Sequence, residues 1–242
     1  MLDPAGYGVL AISKSISIIN DGVGVAGLFS TEAAPAITIE SKDYISVLLR
    51  GLTIDGGGSN LASVAFIANG SLTVQNCLVK NSGGLAVFVG TPSSIQVLNS
   101  TFSNNVQAIA VNLYGNSQDT NPVKVVIDRT TITGTSGTGI HLSRDGPGVI
   151  NFLVSNSIVS ANGYGMYIKD GVEGVVRTTA VTQNVVGLMS LSYRPVVLTG
   201  NTISGNRFTG VLASYGTKSF GDNQIIGNGT DVDGTLTPVA PR

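Results

Sequence analysis

Asn81, Asn105, Asn162, Asn184, Asn206 and Asn228 each stand three residues after an apolar side chain: Leu78, Phe102, Val159, Val181, Ile203 and Ile225. Thr135, three residues after Ile132, fills the one gap, so successive repeats are 24, 30, 27, 22, 22 and 22 residues long. A period of roughly 20–30 residues is the mark of a solenoid, in which each unit buries its apolar face only against its neighbours. The repeat fixes an architecture far more tightly than it fixes a reaction or a ligand.

Composition narrows the strand type and the partners. Of the 242 residues, 42% are hydrophobic and 32 are Gly. Val, Ile and Leu alternate with polar residues throughout, which supplies the apolar surface that a disordered Gly- and Ser-rich chain lacks. Charged residues make up 11% and the formal net charge is −1, so there is no basic footprint for nucleic acid. No apolar run approaches the ~18 residues of a membrane span. Residues 1–8 lack the charged and apolar regions of a signal peptide. Cys77 is the only cysteine, which excludes an intrachain disulfide and a zinc ligand set; it reads as a small buried hydrophobe.

One repeat shows how a coil is built. Phe152-Leu153-Val154, then Ile158-Val159-Ser160, then Met166-Tyr167-Ile168 read as three short strands. Asn156 and Asn162-Gly163 separate them, residues that turn a chain at low steric cost. First strands recur at Leu72–Val74, Ile95–Val97, Val125–Ile127, Val175–Arg177 and Val196–Leu198. Third strands recur at Leu85–Val89, Ile109–Leu113, Ile140–Ser143, Leu188–Leu191 and Val211–Ser214. Five residues before each repeat Asn lies a column that is always polar: Asn76, Ser100, Thr130, Ser157, Thr179, Asn201 and Asn223. Stacked coils then place like residues in files, and both polar columns are expected to form hydrogen-bonded ladders. Apolar spacing of two excludes helical repeats, and the period is too short for propeller blades.

This pattern of alternation, polar bend, Asn bend and short coil resembles the right-handed parallel β-helix of the pectin-lyase-like superfamily, in particular its bacterial repeat proteins. The resemblance implies an all-β, single-stranded right-handed parallel β-helix with three short strands per coil and about 22–30 residues per coil. We expect a single domain over 1–242, with about eight regular coils across 9–229 and a tail over 230–242. Enzymes of the superfamily use an Arg base with acidic residues on calcium, or several Asp with a His motif. Neither signature is present here: Arg177 and Arg194 have no compact acidic set beside them.

Candidate site residues gather where the coils are longest. The 30- and 27-residue repeats expand in the bend after the third strand, at residues 112–122 and 143–148, which neighbour each other in the stack. Beside them an outward third-strand column is expected to run Ala86, Ala110, His141 and Tyr167, with His141 and Tyr167 about one strand spacing, ~4.8 Å, apart. Asp119, His141, Arg144 and Asp145 are the catalytic candidates. Tyr114, Gln118, Asn121, Tyr167, Lys169 and Asp170 are the ligand-binding candidates, because aromatic faces beside amides and carboxylates suit sugar rings. No metal or cofactor is implied, although Asp145, Asp170 and Glu173 offer oxygens of the kind calcium takes.

The reading that follows is a β-helix presenting a long outer wall to a polysaccharide, secreted or at the cell surface, without a recognisable catalytic motif. A carbohydrate lyase or glycoside hydrolase, and a structural or oligomerising module, are the alternatives.

Overall fold

In a computed structural model, which describes residues 5–22, 24–30, 34–58, 61–90, 94–113, 120–214 and 216–240, the chain winds into three parallel sheets of ten strands each. Every strand between the two ends of its sheet pairs with its counterpart one coil before and one coil after. There is no helix among the described residues, and so none long and apolar enough to cross a membrane. The first sheet contains Gly70–Gln75, Ser94–Leu98, Val123–Asp128, Ile150–Ser155 and Val172–Arg177. The second contains Leu78–Lys80, Thr101–Ser103, Thr131–Thr133, Ile158–Ser160 and Ala180–Thr182. The third contains Leu85–Val89, Gln107–Leu113, Thr138–Arg144, Tyr164–Ile168 and Val186–Ser190.

Register puts like residues in file. In the second sheet Leu28, Ile54, Val79, Phe102, Ile132, Val159, Val181, Ile203 and Ile225 are successive partners. All but Ile225 at the end of the file are buried. The anticipated interior file therefore exists, with one correction. In the coil of residues 70–90 the member of the file is Val79, not Leu78, so the ladder position three residues on is Ser82, not Asn81. The spacing from Ser82 to Asn105 is 23 residues. Likewise the first-bend column begins with Cys77, not Asn76.

The displaced asparagines have another task. Each short bend is made by one residue in the left-handed region followed by one ladder residue. At the first bend the left-handed residues include Asn76 (φ 54°), Asn99 (47°), Arg129 (49°), Asn156 (50°) and Thr178 (49°). At the second they include Asn81 (55°), Asn104 (54°), Ala161 (55°) and Gln183 (58°). Asn156 thus turns the chain as expected, whereas Ala161, rather than Asn162-Gly163, turns the second bend of its coil. Ala161 is held there because its N–H must reach the Thr182 carbonyl of the next coil, 3.2 Å away; the stack outweighs local preference.

Both ladders are present. At the second bend the backbone N–H of Asn162 donates to Asn184 Oδ1, that of Asn184 to Asn206 Oδ1, and that of Asn206 to Asn228 Oδ1, each at 3.0 Å. Each side-chain Nδ2 also donates to a carbonyl of the preceding coil, as Asn184 does to Val159. The last rung is closed within the chain, since the Asn228 N–H and Nδ2 both donate to Asp231 Oδ1. Those bonds hold the Asp231 carboxyl below the usual carboxylate range. At the first bend Cys77 N–H donates to Ser100 Oγ, Thr130 N–H to Ser157 Oγ and Thr179 N–H to Asn201 Oδ1. Burial raises the Cys77 thiol, which fits its space-filling place.

Paired structure extends beyond the expected coils at both ends. Ala5–Tyr7 pairs with Ala26–Phe29, and Thr230–Gly234 and Thr237–Pro238 continue the third and first sheets where a tail was expected. Ten strands per sheet make about nine turns, one more than the sequence suggested.

The ladder is weakest at Thr135, whose buried Oγ1 has no hydrogen-bond partner among the described residues. Thr135→Asn should accept the Asn105 N–H and raise stability by about 1 kcal/mol, whereas Asn184→Ala, which removes the acceptor of the buried Asn162 N–H and the side-chain donor to the Val159 carbonyl, should lower it by about 3 kcal/mol. Denaturant melts of the two variants check both signs.

Candidate functional site

The outer face of the third sheet carries one column through successive partners: Ala65, Phe88, Ala110, His141, Tyr167, Met189 and Leu212. Phe88, not Ala86, occupies the place beside Ala110; Ala86 is fully buried. Alternation explains the difference only together with register. Val87 and Val89 point inward with Phe88 between them pointing out, and the pairing of Val87 with Ile109 sets Phe88, not Ala86, beside Ala110.

His141 and Tyr167 are register partners, and their rings stack with centroids 5.0 Å apart and planes 13° from parallel. Tyr164, which sequence reasoning passed over, extends the stack: its ring lies 5.9 Å from that of Tyr167 at 28°. The sequence signal was there, since Tyr164 precedes Tyr167 by three residues. A strand parity of two, however, puts residues three apart on opposite faces, and yet Tyr164, exposed at the first position of its strand, stacks on Tyr167.

His141 is half-buried, its Nε2 is covered, and no described residue hydrogen-bonds to its imidazole. Burial first, and the nearby Lys169 ammonium second, lower its pKa from the ordinary 6.5. At neutral pH the ring is therefore uncharged, and the stack offers flat aromatic faces with no net charge. Without a hydrogen-bonded carboxylate to orient it, the imidazole has no acid–base relay among the described residues.

The remaining candidates divide by position. Tyr114, Gln118 and Asp119 lie outside the described residues. Arg144 is buried, 5% exposed, and its Nη1 donates to the Asn121 carbonyl at 3.0 Å. Its guanidinium also fills the space above Gly148, where an added Cβ would lie 1.9 Å from Nη2. Arg144 and Asn121 thus tie the two long bends together. Asp145 and Asp170 are exposed on turns, held by backbone bonds: the Asp145 N–H donates to the Leu113 carbonyl, and the Asp170 carbonyl accepts the Arg144 N–H. Glu173 is paired with Arg194 at 3.4 Å. No group of three or more His, Cys, Asp or Glu side chains suited to a metal gathers among the described residues.

A second concavity was not anticipated. A trough of about 690 Å³ runs along the second bend of the early coils, lined by Phe29, Asp55, Asn81, Asn104, Val106 and Ser136, among others. It lies on the edge between the second and third sheets, away from the long bends.

The family model described as "Right handed beta helix region" matches residues 110–234, just over half of the chain. The chain is a right-handed beta helix protein. No curated protein and no solved structure matches it. The matched part of the beta helix contains the whole His141–Tyr167–Tyr164 stack, while the trough lies mostly before it.

The direction of the His141 shift sets a pH dependence. A lowered folded-state pKa means that the unfolded chain takes up this proton first as pH falls. The associated stability is complete above about pH 6.5 and is lost as pH drops through the lowered value. Melting temperature measured between about pH 7.5 and pH 5 should fall less steeply in His141→Gln than in the parent, an effect modest in size because the ring is half exposed.

Proposed function

We propose that this beta helix binds a linear polysaccharide along the outer wall of its third sheet, with His141, Tyr167 and Tyr164 as the central contact. The observation that carries the reading is the three-ring stack, 5.0 and 5.9 Å between successive centroids, on the outer face of the wall. Sugar rings present flat C–H faces that pack on aromatic faces, and their hydroxyls take hydrogen bonds at the edges. Lys169 and the exposed Asp145 and Asp170 supply such edges.

Length favours a polymer over a single sugar. Ten strands at ~4.8 Å make a wall about 43 Å long, room for many sugar units side by side with the coils. A polymer of that reach places the protein outside the cell or at its surface. Binding is favoured over hydrolysis or elimination because Arg144 is committed to tying loops and His141 has no orienting acid among the described residues.

Affinity electrophoresis through gels containing neutral or acidic polysaccharides tests the reading. Retardation by at least one polymer, weakened about tenfold in Tyr167→Ala, is the expected result. Unretarded migration in every gel, or retardation that Tyr167→Ala leaves intact, rejects the wall as the binding face. Growth of near-ultraviolet absorbance on incubation with uronate polymers would instead favour the lyase alternative.

A further inference from the structure

We infer that the trough on the second-bend edge is a separate sugar seat, one that takes a neutral oligosaccharide lying parallel to the rod axis. It is bounded at one end by the Phe29 ring, half exposed, and it continues past Asp55, Asn81 and Asn104 to Ser136. These residues come from successive coils, so the trough crosses five levels of the stack, a length of about 19 Å.

Its shape arises where side chains are missing. In the run Asp55-Gly56-Gly57-Gly58 the chain turns through two left-handed glycines, Gly57 (φ 65°) and Gly58 (φ 79°). The Phe29 ring lies against this turn: a Cβ on Gly57 would meet the ring at 3.2 Å. At the far end the Asn104 amide leans over Gly134, where a Cβ would come within 2.9 Å of Oδ1. Ser82 in place of Asn on the ladder keeps the floor low. In later coils the left-handed positions of Asn81 and Asn104 carry Ala161 and Gln183 instead, and the trough does not continue there.

The chemistry selects the ligand class. Asp55 accepts hydrogen bonds from the Gly57 N–H at 3.1 Å and from Asn81 Nδ2 at 3.2 Å, and pairs with Lys80 at 3.3 Å. The carboxylate is therefore charged, compensated and fixed in place. A cationic ligand would have to compete with Lys80, and an anionic one would face Asp55. A neutral ligand meets neither cost. The Asn104 amide and the Ser136 hydroxyl are exposed and engaged by no described side chain, so a donor-acceptor pair and a hydroxyl stand ready along the trough. One aromatic platform, amides and a fixed carboxylate in line along a trough match a chain of neutral sugars: ring face on Phe29, hydroxyls on Asp55, Asn104 and Ser136.

Isothermal titration with cellohexaose, laminarihexaose, chitohexaose and hexagalacturonate tests this, using the full chain and variants whose circular dichroism and melting match the parent. At least one neutral hexaose should bind at a site that persists in Tyr167→Ala, whose wall contact is removed, and in that background the remaining affinity should fall about tenfold on adding Phe29→Ala and be abolished on adding Ser136→Trp, which fills the trough. Binding that survives Ser136→Trp but is lost in Tyr167→Ala would overturn the trough and leave the wall standing. Binding of hexagalacturonate alone, or of no hexaose at all, would overturn the inference as well.

Discussion

Backbone amides at the bends are the constraint on which this architecture depends. Within the strands N–H and C=O groups pair with the neighbouring coils, but a bend turns the chain off the ladder at residues that are themselves buried, such as Asn162 and Asn184. The chain answers with one side chain per bend. Asn is the full solution, because its carbonyl accepts the N–H of the preceding coil while its Nδ2 reaches that coil's backbone carbonyl, as Asn184 does to Asn162 and Val159. Ser and Thr are partial solutions with a single oxygen. They fill most of the first bend, where the N–H bonds to Ser100 and Ser157 Oγ are 3.1 Å and those to Thr130 and Thr179 Oγ1 are 3.5 Å, against 3.0 Å to Asn201 Oδ1.

Magnitudes separate what holds the rod together from what sets its register. Burying one Val or Ile in an interior file stabilises by about 1.5–3 kcal/mol, and each coil buries several. A ladder bond contributes about 1 kcal/mol net. Hydrophobic burial therefore dominates the stability, but it is tolerant of slippage along a file of similar side chains. The cost of a stranded buried amide is what penalises a slip. Asp231 shows the same logic at the last rung, where a side chain from within the coil stands in for the missing Asn of a further one.

The coil repeat, three strands per coil and the interior file through Ile132, Val159, Val181 and Ile203 were legible because period and alternation follow directly from stacking. The coil of residues 70–90 was misread by one position because its ladder residue is Ser82 and its first-bend residue is Cys77, neither of which announces a ladder, while Asn76 and Asn81 beside them sit in left-handed turns. One signal holds the answer in retrospect: Val79, not Leu78, keeps a two-residue alternation with Cys77. The His141–Tyr167 pair was legible from register alone. The loop tie made by Arg144 was not, because it depends on the empty space over Gly148. The trough was invisible for a similar reason, since it is made by absent side chains on coils far apart in sequence.

The two proposed seats share an electrostatic character that follows from how this chain places its few charges. Asp55 is matched by Lys80, Glu173 by Arg194, and Asp21 by Arg50, each pair bridging neighbouring coils. Exposed pairs of this kind add little stability. Their effect is on the field: charges cancelled locally leave a surface without long-range attraction for polyanions. The lowered pKa of His141 acts in the same direction, keeping its ring uncharged at neutral pH. A ligand held by such a surface gains its affinity from contact area and hydrogen-bond geometry, repeated at the spacing of the coils, and a chain of sugar units offers that repetition.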